Sequence, residues 1–311
     1  MREIAATSQS IGDAAGAVAH LPAMTNFARS GNAPATIEFR GFARPIVVRI
    51  DAVLVEELAM LIAAWPWRRV ASARRWHVCV AATAAGYAVA ERKGRAVEET
   101  LYPTAPQAMG AFTGALVAAA LRHTRDTVSL HAGAAAFSHG AVVAIGPSLA
   151  GKSSVALHMA ANGGRLLGDD SVAIAGDRAL SFGLAPKLRL PMPADAGRLY
   201  SRFATARIRR TQSGIAHLRL RRGEAARFGQ SAPLRGIVIL KRAEESASRL
   251  LPADRSAAMR ALVTHALAPQ LSAAALDARL VALVSNVPAY TLEFGRSREA
   301  ARLLRRLVEE R

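Results

Sequence analysis

The chain has 311 residues, of which 51% are hydrophobic, and its formal net charge is +18. This length and apolar content exclude an intrinsically disordered chain and allow one large domain or two smaller ones. Cys79 is the only cysteine, which excludes an intramolecular disulfide. The charge favours an anionic partner, namely a membrane surface, a nucleic acid or an acidic substrate, unless it only reflects an arginine-rich composition.

The first part of the chain is predicted to form a small α+β domain. Residues 1–33 contain many small residues without a sustained period, which predicts a flexible N-terminus and no secretory signal. We expect the domain to span residues 34–125, with Asp51 as an N-cap. Its expected elements are strands at 36–40 and 46–50, a helix at 51–64, strands at 76–82 and 87–91, and a helix at 106–122.

From residue 126 to 311 the apolar runs become longer, and a second, α/β domain is predicted there. The expected strands are 129–137, 141–145, 165–167, 171–175, 180–182, 188–190, 236–240 and 290–294. The expected helices are 153–161, 256–267, 276–284 and 297–309. Two long uncharged stretches, 104–121 and 127–151, contain proline and several polar residues, so neither is predicted to span a membrane.

A glycine-containing loop lies between the predicted strand 141–145 and the predicted helix 153–161. Such a loop points backbone N–H groups at phosphate oxygens, and the helix that follows adds its positive N-terminus. Lys152 supplies a charge for the β- and γ-phosphates of ATP, and the Ser153 hydroxyl is suited to bind Mg²⁺. The predicted nucleotide-binding residues are Gly146, Pro147, Ser148, Leu149, Ala150, Gly151, Lys152, Ser153 and Ser154.

Three further residues complete the predicted site. Asp169 and Asp170 follow a short apolar strand, where carboxylates beside a phosphate loop hold Mg²⁺ or take the proton of a hydroxyl acceptor. The alternative is a solvated turn. His131 lies in an apolar strand, where a lone histidine is more often a core residue than a functional one.

The order of these motifs resembles the HPr kinase/phosphorylase family and its kinase-only relatives. The resemblance covers residues 128–175 and continues loosely to the closing helix. It implies a P-loop HPr kinase-like C-terminal domain, with ATP and Mg²⁺ as cofactors and with Lys152 on the phosphates. It also implies that Asp169 is the general base, oriented by His131, and that Asp170 and Ser153 bind the metal. Family members often assemble as homo-oligomers.

The sequence departs from the family at two points. Ser154 stands where HPr kinases usually carry an acidic residue, and the glycine- and asparagine-containing phosphorylase signature is not found. We therefore expect a kinase with an acceptor other than HPr and without phosphorylase activity.

The sequence leaves two classes of acceptor open, a lipid and a peptide or protein. Relatives in the family act on ceramide, and the nine arginines of residues 198–227, interleaved with apolar residues, would suit an anionic membrane surface. The same arginines would attract an acidic peptide, such as a lasso-peptide precursor phosphorylated on serine; a solvated basic loop is the third interpretation. Candidate contacts to the acceptor or membrane are Lys187, Arg189, Arg207, Arg209 and Arg210.

The lipid hypothesis predicts a cytoplasmic protein that attaches peripherally to the inner membrane. A nucleic-acid partner is not expected, because the sequence contains no helix-turn-helix, zinc-ligand or base-stacking motif.

Overall fold

The computed structural model describes residues 34–41, 44–62, 64–73, 75–193, 196–212, 214–243 and 247–310, so the predicted flexible segment 1–33 lies outside it. The architecture is mixed α/β, as the sequence predicts. Contacts divide the chain into two compact units. Among the described residues, unit 1 comprises those within 34–39, 45–55 and 67–119, and unit 2 comprises those within 40–44, 56–66 and 120–310.

Unit 1 contains a six-stranded sheet in the order β3-β1-β2-β4-β5-β6, in which β2 and β4 are parallel and the other pairs antiparallel. Its strands are β1 (Ala35–Phe39), β2 (Ile46–Ile50), β3 (Trp67–Val70), β4 (Val78–Thr83), β5 (Gly86–Lys93) and β6 (Ala96–Tyr102). The alternation of apolar residues in β2 puts every second side chain in the core. β3 and β6 were not predicted, because two arginines and two glutamates interrupt their apolar patterns.

Two helices lie in this part of the chain, α1 (Val55–Leu61) and α2 (Ala105–Leu121). A 3₁₀ turn, Ala52–Leu54, precedes α1, and the Asp51 side chain accepts a hydrogen bond from the Val53 N–H at 3.2 Å. The predicted N-cap is therefore confirmed.

Unit 2 contains a ten-stranded sheet and a separate three-stranded sheet in the order β13-β15-β14. The large sheet runs β10-β8-β9-β16-β12-β11-β7-β18, and β19 pairs with β16 and β17. Its strands are β7 (Val128–Leu130), β8 (Gly133–Phe137), β9 (Gly140–Ile145), β10 (Arg165–Gly168), β11 (Val172–Ala175), β12 (Arg178–Ser181), β16 (Ser231–Arg242), β17 (Arg249–Pro252), β18 (Ala266–Leu267) and β19 (Ala289–Phe294). The small sheet comprises β13 (Lys187–Arg189), β14 (Ile208–Gln212) and β15 (Ile215–Leu218).

The helices of unit 2 cover both faces of the large sheet at its centre. They are α3 (Lys152–Ala161), α4 (Arg198–Thr205), α5 (Arg255–His265), α6 (Ala273–Asn286) and α7 (Ser297–Glu309). In β9, Val142 and Ala144 belong to the core on the α3 and α7 side, while Val143 and Ile145 belong to the core on the α5 and α6 side. Burial on both faces explains why β9, parallel to β16, reads as a continuous apolar run.

The predicted strand 129–137 is wrong as a single element. The structure divides it into β7, which pairs with β11 and β18, and β8, which pairs with β9 and β10. His131 and Ala132 lie in the gap between the two strands. Ser-Leu-His-Ala-Gly continues the apolar pattern without a turn signal, so the sequence gives no sign of the break.

The arginine-rich residues 198–227 are not a simple solvated loop. The segment forms α4, β14 and β15, and α4 buries Tyr200, Phe203 and Ala204 in the core of unit 2. Its arginines are therefore carried by a folded segment.

Candidate active site

The predicted phosphate loop connects β9 to α3. Gly151 at the start of α3 has φ 98° and Leu149 has φ 65°, so the backbone passes twice through the left-handed region. Lys152 begins the helix and is only 7% exposed, and its Nζ donates to the carbonyl oxygens of Gly146 (2.8 Å) and Pro147 (2.9 Å). Burial lowers the pKa of Lys152, and the charge of Asp170 opposes that shift.

The start of α3 is joined to the end of β10 by a hydrogen bond. Ser153 Oγ donates to the backbone oxygen of Asp169 at 3.1 Å, which places the two predicted motifs side by side. The hydroxyl uses its proton in this bond, and its lone pairs stay available for a cation.

Asp169 is almost completely buried, at 5% exposure. Its Oδ2 accepts a hydrogen bond from the backbone N–H of Lys187 at 2.9 Å. Burial, followed by the charge of Asp170, raises the pKa of Asp169 to about 7, and the bond from Lys187 opposes the increase. A carboxyl group with this pKa can both accept and release a proton near neutral pH.

Asp170 has a different environment, although it is the next residue. Its Oδ1 lies 3.1 Å from His131 Nδ1 and its Oδ2 lies 3.7 Å from Lys187 Nζ. The hydrogen bond from His131 and the charge of Lys187 lower the pKa of Asp170 against the opposing effect of burial. Asp170 is therefore held as a carboxylate.

His131 contacts Asp170 through both the carboxylate and the backbone oxygen, each 3.1 Å from Nδ1. No hydrogen bond between His131 and Asp169 is found in the described part of the chain. His131 contacts Asp170 instead, so its expected orientation of Asp169 has no direct contact to support it. The His131 backbone N–H donates to the oxygen of His265 (2.8 Å), and the two rings lie 6.0 Å apart. His265, at the end of α5, is a neighbour that the sequence did not indicate.

A cavity of about 390 Å³ brings most of the predicted residues together. Those lining it are His131, Ser148, Leu149, Gly151, Lys152, Ser153, Ser154, Asp169, Asp170, Lys187 and Arg189. Lys187 has a double role here, because its N–H contacts Asp169 while its ammonium group lies beside Asp170. The sequence predicted Lys187 as a contact to the acceptor or membrane, and its contacts with the two aspartates become evident only in the fold.

Three predicted acceptor contacts do not line this cavity. The Arg207 guanidinium is paired with Glu224 and lies 3.8 Å above the Phe203 ring centroid, so its side chain is structural. Arg209 and Arg210 are exposed on β14, and Arg210 lies 3.6 Å from Glu57.

The residues at the cavity fit a magnesium ion that is held mainly by phosphates. Mg²⁺ usually takes one or two protein oxygens together with substrate phosphates and water. Ser153 Oγ has free lone pairs and Asp170 is held ionised. Among the described residues, no cluster of three or more His, Cys, Asp or Glu side chains is placed to hold a metal.

No protein-family model matches the chain, and no curated protein matches it. Among solved structures, the Hpr(Ser) kinase/phosphatase from Coxiella burnetii is similar to 58% of this chain over 94% of its own length. The two are 12% identical, and the TM-score is 0.27. In the part of the chain that the structure describes, no helix is both long and apolar enough to cross a membrane.

Proposed function

We propose that the chain is an ATP-dependent kinase that transfers the γ-phosphoryl group to a hydroxyl acceptor. One observation supports this most directly: the buried carboxyl group of Asp169, with a pKa of about 7, lines the same cavity as Lys152 and Ser153. A buried base with this pKa can take the proton of an attacking hydroxyl group near neutral pH. The resemblance of the motifs to kinase-only relatives of HPr kinase/phosphorylase agrees with this choice.

The proposed step is an in-line displacement. The acceptor oxygen forms a bond to the γ-phosphorus, the bond from that phosphorus to the β–γ bridging oxygen breaks, and ADP leaves. The hydroxyl proton passes to Asp169 Oδ. Lys152 would neutralise charge on the β- and γ-phosphates once ATP replaces the carbonyl oxygens of Gly146 and Pro147 as its partner.

Ser153 and Asp170 would hold Mg²⁺, which would supply charge neutralisation for the phosphates. His131 and Lys187 keep Asp170 ionised for that purpose. Asp169, by contrast, is buried and has a pKa of about 7, so its ionised form is present near neutral pH and can take the acceptor proton.

For the acceptor we propose a ceramide-type lipid presented at an anionic membrane surface, by a cytoplasmic protein that attaches peripherally. Leu149, 74% exposed, lines the cavity together with Leu188 and Ile215, so apolar side chains lie beside the phosphate loop. The alternative is a serine hydroxyl on a peptide or protein, favoured by the charges of Lys187 and Arg189 at the same cavity.

Phosphoryl transfer is tested by comparing Lys152→Ala and Asp169→Asn with the parent chain. Each is expected to lower kcat by about 10²–10⁴-fold, because each removes a group that acts in the transition state. Lys241→Ala, at an exposed ion pair outside the cavity, is the matched control. Full activity in both site variants would overturn the proposal.

The acceptor is tested with labelled ATP and Mg²⁺, offering ceramide in detergent and a cell peptide extract. Label in the lipid fraction supports the lipid acceptor, and label in the peptide fraction supports the alternative. Vesicle flotation gives a second measurement: binding to anionic vesicles is expected at low salt and should weaken at high salt. A protein that stays unbound at low salt contradicts the membrane surface.

A further inference from the structure

A second cavity, of about 520 Å³, lies in unit 2 and shares no lining residue with the phosphate-loop cavity. Five arginines line it: Arg165, Arg219, Arg221, Arg222 and Arg227. We call it the arginine cavity. Its volume is in the range of ligand-binding pockets.

The positive charge of the arginine cavity is not neutralised within the described residues. None of the five guanidinium groups forms an ion pair there, and no aspartate or glutamate lines the cavity. Glu224, between the lining residues Gly223 and Ala225, is paired with Arg207, and its charge also interacts with that of Arg221 without an ion pair. Five like charges around one concavity repel one another, so entry of a negatively charged group lowers the electrostatic energy.

The chain segment 219–227, which carries four of the five arginines and which we call the rim, is held by hydrogen bonds of its backbone. The Arg221 N–H donates to Glu224 Oε2 at 2.7 Å, and the Glu224 N–H returns a bond to the Arg221 oxygen at 3.1 Å. Leu166, next to Arg165, binds the segment through two backbone bonds of 2.8 Å, one to Glu224 and one from Ala226. The arginines therefore start from a rigid frame, which reduces the entropy lost when they bind.

The floor of the cavity is apolar. Met60, Leu184, Pro186, Leu218 and Leu220 line it and are buried or half-buried, whereas four of the five arginines are exposed. A bare phosphate anion would leave this surface uncovered, and a flat bilayer would not enter a concavity. A short peptide that carries both acidic and apolar side chains satisfies the charges and the floor together.

We propose that the arginine cavity binds an extended, acidic and apolar segment of a partner polypeptide. The carboxylates pair with the rim arginines, which offer the forked geometry that carboxylates match. The apolar side chains lie on the floor. The proposal does not depend on the kinase activity, since the cavity is separate from the phosphate loop.

The test measures fluorescence anisotropy of a labelled octapeptide that alternates glutamate and leucine. Saturable binding is expected, and Arg221→Gln, Arg222→Gln and Arg227→Gln together should raise Kd at least about 10-fold. The matched control is Arg255→Gln, Arg260→Gln and Arg302→Gln. These three arginines are exposed and do not line the cavity, and their replacement by glutamine removes the same net charge. The control should change Kd less than about 2-fold.

Two further peptides distinguish the contribution of the apolar residues to binding from that of the arginines. Replacing every leucine by serine should weaken binding several-fold, because the apolar contact is lost. Replacing glutamate by lysine should abolish it. Protection of Arg221 and Arg222 from phenylglyoxal by the octapeptide, read by mass spectrometry on the unmutated protein, gives a measurement that does not depend on folding of a variant.

Several results would overturn the proposal. Equal weakening by the cavity and control triples would indicate diffuse attraction. Binding of inorganic tripolyphosphate that displaces the octapeptide and is tighter would indicate a small-anion site. Loss of anionic-vesicle binding in the cavity triple, with octapeptide binding unchanged, would indicate a membrane contact.

Discussion

Asp169 and Asp170 are adjacent in the sequence but have opposite pKa shifts. Burial and a like charge raise the pKa of Asp169, whereas His131 and Lys187 lower that of Asp170. Neighbouring carboxyl groups with diverging pKa values are the usual arrangement where one acts as a base and the other stays charged. The pair could be predicted from its place after an apolar strand. The difference between the two pKa values could not be predicted, because it depends on Lys187 and His131, which lie 18 and 39 positions away in the sequence.

The raised pKa of Asp169 has a consequence for stability. Between pH 4 and 7 the unfolded chain has lost this proton while the folded protein retains it, so stability falls as pH rises through that window. Asp169→Asn removes the penalty. The variant is therefore expected to match the parent near pH 4 and to exceed its free energy of unfolding by about 1–4 kcal/mol at pH 8.

Urea unfolding at pH 4 and pH 8 measures this difference. Asp177→Asn removes a carboxylate from an exposed turn and is the matched control. An equal gain in the control, or a gain that is independent of pH, would contradict the explanation by burial.

His131 is expected to act on the pKa of Asp170. In His131→Ala the hydrogen bond that contributes most to the low pKa is lost, so the pKa of Asp170 should rise toward its ordinary range. A ¹³C NMR titration of the carboxyl groups measures the shift. His139→Ala, at an exposed turn, should leave Asp170 unchanged, and an unchanged Asp170 in both variants would show that His131 has no such effect.

At the scale of elements, the contact between β8 and α3 holds the phosphate loop in place. Gly133 in β8 lies so close to α3 that a Cβ there would be 2.6 Å from the backbone oxygen of Lys152. The sequence predicted the loop from its own glycines, and β9 and α3 from their apolar patterns. It did not predict the role of Gly133, because close approach between elements leaves no local pattern.

Gly133→Ala is expected to displace Lys152 and to destabilise the protein by about 1–3 kcal/mol. ATP affinity should fall as well, since the backbone of the loop moves with Lys152. Gly114→Ala is the matched control, because a Cβ at Gly114 in α2 meets no atom within 4 Å. That variant should be slightly more stable than the parent. Thermal unfolding measures the stability of both variants, and nucleotide titration measures their ATP affinity. Unchanged ATP affinity in Gly133→Ala would show that the contact between β8 and α3 does not support the phosphate loop.

At the scale of the whole molecule, each unit has its own buried residues. Cys79 illustrates unit 1: it lies within the predicted strand 76–82, and the structure places it in β4 at 1% exposure, against Trp76 and Ala90. The strands with long apolar runs were predicted well. α4 and β14 were missed because arginines interrupt their apolar patterns, and β15 was missed because it has only four residues.

Cys79 therefore provides a probe of unit 1. Burial raises the pKa of its thiol, so little reactive thiolate forms in the folded protein. Alkylation by iodoacetamide at pH 8 is expected to be at least about 100-fold slower than in the urea-unfolded chain. Mass spectrometry measures both rates. Similar rates would mean that β4 opens readily in the native state.

Lys187 reaches the two aspartates through different parts of itself, the backbone N–H for Asp169 and the side chain for Asp170. Substitution can separate these two functions. Replacement by methionine would remove the charge that lowers the pKa of both aspartates and keep the N–H, and replacement by proline would also remove the N–H bound to Asp169. A survey of side chains at this position thus changes the charge that acts on both carboxylates, whereas only proline removes the hydrogen bond to Asp169.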